Sequence, residues 1–306
     1  MTKLCFIGIG SISKRHILNT AKYLNSINVE FQIDAVRRNI ENPVDEIRHL
    51  VSTQYKYGER LSADYDAIFV TNPTSLHYEA LSMYCNNAKW FFVEKPVFDH
   101  VNAECDLLPK NCYVACPLRY TSVIKYIKEN INYKSAFSAR AISSSYLPEW
   151  RPNKDYRETY SAHKTLGGGV SIDLIHEWDY ISNLFGFPKN VYSIMGKFSN
   201  LEIDSDDLAV YIGEYPDKLV ELHLDYFGRF PVRKLEIFFD GETIEADFLS
   251  CTIKHLKSGK AVSLCESRDS YQTKEIEHFF KIMRGELQND STIEDAVKVL
   301  KIARGE

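Results

Sequence analysis

No apolar run in the 306-residue sequence approaches the ~18 residues that would span a bilayer, which excludes a membrane-spanning helix. No block of like charge is present either. Thirty-seven Lys+Arg stand against forty-two Asp+Glu, a formal net charge of −5, so there is no basic excess to draw the chain to nucleic acid. CxxC pairs are absent, and the cysteines number seven: Cys5, Cys85, Cys105, Cys112, Cys116, Cys251 and Cys265. An odd set placed mostly inside apolar runs reads as free thiols of a reducing cytoplasm, not as a disulfide framework or a zinc site. The histidines outside the motifs described below show no metal-ligand spacing, so no metal is expected. The opening segment MTKLCFIGIG has no basic n-region, h-region or small-residue cleavage site, and a secretory signal is not expected. What remains is an ordinary globular balance, 44% hydrophobic and 26% charged, in a chain long enough for roughly two domains of ~150 residues.

The first ~115 residues alternate strand-like and helix-like segments. Short apolar runs at 3–9, 29–36, 67–71, 90–93 and 112–116 read as strands, with helical stretches at 13–24 and 75–84 between them. Buried strands separated by helices imply a parallel sheet covered on both faces. Beyond Pro117 the pattern changes. Val123, Ile124, Ile127 and Ile131 share a helical face, and a polar, aromatic-rich stretch runs from 143 to 164. Gly167, Gly168 and Gly169 then open a helix to about 185. Residues 191–257 are strand-rich without intervening helices, which indicates an antiparallel sheet. Ile276, Phe279, Phe280 and Met283 form a helical stripe, and Ser291 with Glu294 reads as the capping box of a last helix. The fold class is therefore α/β, with a parallel-sheet domain over 1–117 and a second domain holding an antiparallel sheet over 118–306.

Gly8-Ile9-Gly10-Ser11-Ile12-Ser13 follows the first strand and opens the first helix. In a dinucleotide-binding turn the first glycine permits the bend and the second lets backbone amides approach a pyrophosphate at the positive helix end. The third position needs a small residue for close helix–strand packing, and Ser13 stands there. The second strand ends in Arg37-Arg38. NAD-preferring folds place an acid at this tip for the ribose 2′-hydroxyl, whereas Arg accommodates a 2′-phosphate, so the pair favours NADP over NAD. Asp34 lies too far inside the strand to serve as that acid.

Three segments, Gly8-Ile-Gly-Ser-Ile-Ser-Lys-Arg-His16, Asp66-Ala-Ile-Phe-Val-Thr-Asn-Pro-Thr-Ser-Leu-His77 and Glu94-Lys95-Pro96, resemble the N-terminal domain of the glucose–fructose oxidoreductase / inositol dehydrogenase / MocA (Gfo/Idh/MocA) family. Gly167-Gly-Gly-Val-Ser-Ile-Asp173-Leu-Ile-His176-Glu-Trp-Asp179 is similar to its second-domain signature. The resemblance covers nearly the whole chain and implies a Rossmann domain joined to a C-terminal α/β domain with an open, mostly antiparallel sheet, NAD(P)-dependent redox chemistry on sugars or polyols, and a homo-oligomer, dimer or tetramer. It implies cofactor contacts for Thr71, Asn72, Pro73, His77, Glu94 and Lys95, beside Gly8, Gly10, Ser11, Ile12, Ser13, Arg37 and Arg38. His16 holds another recurrent family position near the cofactor. The sequence departs from the pattern at Ser13, at His176 (three residues after Asp173 where many members have four) and at Pro117, where members often carry Asn.

Hydride exchange between a secondary alcohol and nicotinamide needs a group that moves the hydroxyl proton and steadies the alkoxide. By the resemblance Lys95 lies between cofactor ribose and substrate, where burial can lower its pKa. His176 titrates near neutrality and is assigned the proton donor/acceptor role, with Lys95 as its electrostatic partner and Asp173 as a substrate-hydroxyl ligand. Which of Lys95 and His176 is the immediate acid–base stays open. If one helix carries both, Asp173 and His176 share its face. The 143–164 stretch offers Trp150, Arg151, Tyr156, Arg157 and Tyr160 to a substrate: aromatic rings suit sugar faces, and Arg suits a carboxylate or phosphate. An anionic or nucleotide-linked sugar fits those residues, and the similarity of 146–152 and 155–162 to one branch of the family implies a surface-carbohydrate pathway; a surface loop packing on the sheet fits them equally. Arg119 reads as a substrate ligand or an interdomain salt-bridge partner. Two rivals stand beside the simple oxidoreductase: a tight-NAD epimerase or glycoside-cleaving enzyme of the same fold, and a non-catalytic dinucleotide sensor.

Overall fold

The computed structural model describes residues 1–41, 45–61, 64–101 and 108–306. The chain divides into two compact units: Met1–Pro117 with Arg268–Val297, and Leu118–Ser267 with Lys298–Glu306. In the first, six parallel strands are ordered β3-β2-β1-β4-β5-β6: β1 (Thr2–Ile7), β2 (Phe31–Arg37), β3 (Val51–Lys56), β4 (Tyr65–Val70), β5 (Ala88–Val93) and β6 (Cys112–Val114). The helices α1 (Ser11–Ser26) and α2 (His77–Met83) follow β1 and β4. The middle strands are buried on both faces, which is why they read as unbroken apolar runs. β3 escapes that signature: it is a largely exposed edge strand of polar residues.

The stripe of residues 276–283 belongs to α6 (Arg268–Met283), and the structure returns this helix to the first unit rather than leaving it with the rest of 118–306. The reason is aromatic packing. The Phe279 ring lies 5.7 Å from Phe69, 5.3 Å from Phe92 and 5.6 Å from Tyr113, and Phe280 meets Tyr23 of α1 at 5.5 Å. Burying a Phe of this kind stabilises by roughly 1.5–3 kcal/mol.

The second unit holds α3 (Ser122–Asn130), whose Val123, Ile124 and Ile127 are buried as its periodicity predicts, and an eight-stranded sheet. Its strands are β7 (Ser138–Tyr146), β8 (Asn190–Gly196), β9 (Leu208–Glu214), β10 (Leu219–Asp225), β11 (Phe227–Phe239), β12 (Glu242–Asp247), β13 (Thr252–His255) and β14 (Ala261–Ser263), in the order β14-β13-β12-β11-β7-β10-β9-β8. All pairings are antiparallel except β7 with β10. One face is buried, with Ala139, Ala141, Leu222 and Leu235 on it; the other carries Tyr192, Ile194 and Ile212 in the open. β7 is central yet carries no apolar strand signature in sequence, because its buried positions include the small Ala139, Ala141 and Ser143.

Two local expectations change. The helix opened by the glycine run is two pieces, α4 (Val170–Asp173) and α5 (His176–Phe185), broken at Leu174, so Asp173 and His176 do not share one helical face. The last helix, α7 (Ile293–Arg304), is capped one residue later than expected. Thr292 Oγ1 accepts from the Asp295 amide at 3.2 Å, while the buried Ser291 hydroxyl donates to the Val114 carbonyl at 2.7 Å. Cys5, Cys85, Cys112, Cys116, Cys251 and Cys265 are free thiols, and Cys105 lies outside the described residues.

Candidate functional site

Because the strands of the first sheet are parallel, the turns after β1, β4 and β5 line one edge. Three of the sequence motifs fall there. Gly8 has φ +84°, and a Cβ at this position would lie 2.7 Å from the Asn72 Cα; only glycine lets the β1 and β4 turns approach so closely. Thr71 ties the same two turns, its hydroxyl donating to the carbonyls of Ile7 at 3.0 Å and Gly8 at 2.9 Å. A Cβ on Gly10 would meet nothing within 4 Å. Gly10 is the N-cap of α1, makes no side-chain cap bond, and is followed by no acid in the first turn. Ser13 is fully buried, as close packing at the third position requires. An uncapped sixteen-residue helix with open space at its N-terminus suits an anionic pyrophosphate. The Asn72 side-chain oxygen is buried without a hydrogen-bond partner among the described residues, a further polar atom on this edge. These residues fit a dinucleotide.

At the end of β5, Glu94 accepts from His16 at 2.5 Å and from the Lys95 amide at 3.1 Å. Burial raises the Glu94 pKa, but the His16 hydrogen bond and the charges of His16 and Lys95 outweigh it and hold the carboxyl below its usual range. Lys95 is half-buried ahead of a cis peptide bond to Pro96. His77 is buried, with Nδ1 3.1 Å from the Val97 carbonyl oxygen and Nε2 3.0 Å from that of Asn72. It therefore clamps the β4 turn to the β5 turn from beneath; direct contact with a cofactor, as the resemblance implied, is not open to its ring nitrogens in this arrangement. His16 is likewise buried, bonded to Glu94.

The two arginines at the tip of β2 part company. Arg37 is buried and donates to Gln54 on β3 at 2.8 Å, while Arg38 is exposed with its guanidinium 6.0 Å from the Tyr57 ring centroid. Asp34 is buried, accepting from Gln32 at 3.1 Å, from the Thr53 amide at 3.0 Å and from the Tyr65 hydroxyl at 2.8 Å. It holds the sheet together and is not an acid offered to a ribose.

In the second unit the centre is Asp173. One carboxylate oxygen accepts from Tyr160 at 2.6 Å and the other from Tyr226 at 2.5 Å. Burial and the Asp173 charge together raise both phenol pKa values, so the tyrosines stay protonated donors. Trp150 stands edge-on to Tyr226 at 5.2 Å, its indole N–H on the Ser145 hydroxyl at 2.9 Å. Sequence reasoning missed Tyr226; a Tyr beside strand β11 carries no motif that would mark it. His176 opens α5, half-buried, three residues on from Asp173.

The glycine run serves the chain itself more than a ligand. A Cβ on Gly168 would sit 2.1 Å from the Tyr160 carbonyl oxygen, and one on Gly169 2.1 Å from the Asp206 carboxylate, which accepts from the Ser171 amide. Arg119 is bonded by two of its nitrogens to Asp179, at 2.9 and 2.6 Å, a pair inside the second unit rather than between domains. Arg157 is taken up by Asp155 and Glu202, and the Tyr156 hydroxyl accepts from the Glu202 amide at 3.1 Å. Those two residues pin a loop. Among the described residues no His, Cys, Asp and Glu side chains cluster as a metal site, and no helix is long and apolar enough to cross a membrane.

A parallel sheet in the order 3-2-1-4-5-6 with an open glycine turn, joined to a second α/β unit on a mostly antiparallel sheet, defines a Rossmann-type dinucleotide-binding oxidoreductase architecture. Residues 2–109 match the model of the oxidoreductase family GFO_IDH_MocA, described by its NAD-binding Rossmann fold. The resemblance read from the sequence is thereby borne out. Solved structures share the fold over the whole chain. UDP-N-acetylglucosamine 3-dehydrogenase from Acidithiobacillus ferrooxidans matches at TM-score 0.76 and 17% identity, over 99% of this chain and 97% of its own. Levoglucosan dehydrogenase in complex with NADH gives 0.82 and 17%, over 99% and 95%. The myo-inositol 2-dehydrogenase of Lactobacillus plantarum gives 0.77 and 20%, over 99% and 95%. No curated protein sequence matches the chain.

Proposed function

We propose that this protein is an NAD(P)-dependent oxidoreductase acting on a secondary alcohol or ketone of a sugar or sugar derivative. One observation carries the reading: the open, uncapped turn at Gly10 and the Glu94–Lys95 turn lie at the same end of one parallel sheet, which supports a cofactor site within reach of a candidate proton-transfer lysine. The sugar-dehydrogenase titles of the matched structures agree with it. Residues 11–13 would hold the pyrophosphate by their amides, with the Thr71–Pro73 turn and Glu94 beside the bound dinucleotide. When bound, nicotinamide supplies the hydride chemistry. The chain's part is to place the alcohol and move its proton: Lys95 donates a hydrogen bond to the reacting oxygen, His176 takes or returns the proton, and Asp173 holds the tyrosines that border the substrate.

NADP(H) is the proposed preference, now resting on Arg38 alone, since Arg37 is turned to Gln54 and Asp34, inside the strand, is buried. A homo-oligomer through the open face of the second sheet is proposed as well.

The first test is a fluorescence titration with NADPH and NADH in parallel. Tighter NADPH binding, lost in Arg38→Asp, supports a 2′-phosphate site; equal or tighter NADH binding overturns the arginine argument, and binding of neither overturns the cofactor reading. In the active enzyme Lys95→Ala and His176→Ala should each lower turnover at least ~10²-fold, the usual scale for a general acid–base group. Cofactor binding should survive His176→Ala. Full turnover in both variants rejects the mechanism. Product formed without net change at 340 nm would point instead to the tight-NAD rival.

A further inference from the structure

Cys5, Cys112 and Cys116 are buried in the first unit, where a thiol is inert. Cys251 and Cys265 are the cysteines of the second unit, fourteen residues apart in sequence. Cys251 is half-buried and Cys265 is exposed.

The edge of the second sheet brings these two back together. β13 and β14 pair antiparallel there, with Thr252 opposite Ser263. One step beyond that pair, the Leu264 amide donates to the Cys251 carbonyl at 2.8 Å. The Cys251 Sγ lies 3.9 Å from the Glu266 carbonyl oxygen. Cys251 therefore touches the residue on each side of Cys265, one through its backbone and the other through its sulfur. Cross-strand neighbours have Cα atoms ~4.5–5.5 Å apart, and a disulfide spans ~4.4–6.8 Å.

The alternation of side chains along β14 ends at Ser263 and does not govern Cys265. Cys251 and Cys265 have φ +51° and +32°, a left-handed backbone that is rare for a residue with a side chain. Among the described residues Asn28 is the only other non-glycine in that region. The two thiols also sense one another. Burial is the main cause that raises the Cys251 pKa, and the charges of Glu266, Cys265 and Asp247 add to it, outweighing the Glu266 carbonyl hydrogen bond.

We propose that Cys251 and Cys265 form a thiol oxidation site that closes to a disulfide, with a peroxide as the oxidant. The exposed Cys265 thiolate attacks the O–O bond, giving a sulfenic acid and one water. The Cys251 sulfur then displaces the sulfenic oxygen as a second water, and the S–S bond forms. The two sulfurs lose two electrons in all, the peroxide takes them, and a dithiol reductant restores both thiols. The bond closes a loop over β13 and β14 and fixes it to 264–267, the segment that leads into α6. Glu266 in that segment also accepts from the Ser122 amide at 2.5 Å, so the clamp reaches the start of α3.

The test is a peptide map of the full chain, reduced, treated with hydrogen peroxide in small excess, and digested without reductant. The peptides carrying Cys251 and Cys265 should appear joined and two hydrogens lighter than their sum, and dithiothreitol should separate them. The thiol count of the folded protein should fall by two per chain. In Cys251→Ser a Cys265 sulfenic acid should accumulate and be trapped by dimedone, whereas the wild type traps little. In Cys265→Ser the Cys251 thiol should stay reduced. Cys265 joined to a second chain, Cys265 oxidised to sulfinic acid with Cys251 still a thiol, or both thiols left intact would overturn the site. The map needs neither dinucleotide nor sugar, so its outcome is independent of the oxidoreductase reading.

Discussion

His77 places each ring nitrogen within 3.1 Å of a backbone carbonyl, Val97 on one side and Asn72 on the other. A neutral imidazole donates through one nitrogen only, while an imidazolium would donate through both. Burial opposes the charged form and is the larger effect, lowering the His77 pKa despite the two carbonyls and Glu94. The sign of the consequence follows. In the unfolded chain this residue takes a proton at about pH 6.5, and in the fold it does so only at lower pH, so its stability contribution is present above ~6.5 and declines as pH falls. Glu94, with its pKa depressed, acts in the same direction at lower pH. Thermal melts from pH 7.5 to 5.5 should fall more steeply in the wild type than in His77→Gln, by up to ~1.4 kcal/mol per pH unit for one proton. Parallel slopes would show that His77 titrates as it does in the unfolded chain. At this scale the sequence marked His77 and Glu94 by their family positions but not their partners, because a hydrogen bond to a carbonyl twenty residues away leaves no local pattern.

Elements were legible where one interaction dominated. β1, β4 and β5 end in apolar runs because both faces are covered there, and the turn at Gly8 is marked because a Cβ on it would lie 2.7 Å from the Asn72 Cα. β3 and β7 were missed for opposite reasons: the first is an exposed edge with polar side chains, the second a central strand whose buried side chains are small. The helix break between Asp173 and His176 was hidden by good helical periodicity on either side. It separates the carboxylate, turned to Tyr160 and Tyr226, from the histidine that begins α5. Trp150 and Tyr160 were found as aromatic candidates, whereas Arg119 and Arg157 look alike in sequence and are both consumed by nearby acids.

For the whole molecule, the unfilled face of the second sheet is the feature most in need of a partner. Tyr192, Ile194 and Ile212 are 62, 68 and 44% exposed and lie together, Tyr192 paired with Ile212 across β8 and β9. Contiguous apolar surface of this kind on a sheet marks association. In a light-scattering measurement the wild type should show a dimer or tetramer and Ile212→Lys a smaller species; an unchanged mass would remove this face from the assembly. The path of the chain has its own consequence. It leaves the first unit after Pro117 and returns only at Arg268. On the ribosome, the parallel sheet is therefore made long before Phe279, the ring that closes over Phe69, Phe92 and Tyr113. Until the second unit has been synthesised, those aromatics wait for their cover, and it is in this interval that the nascent chain is most in need of a chaperone.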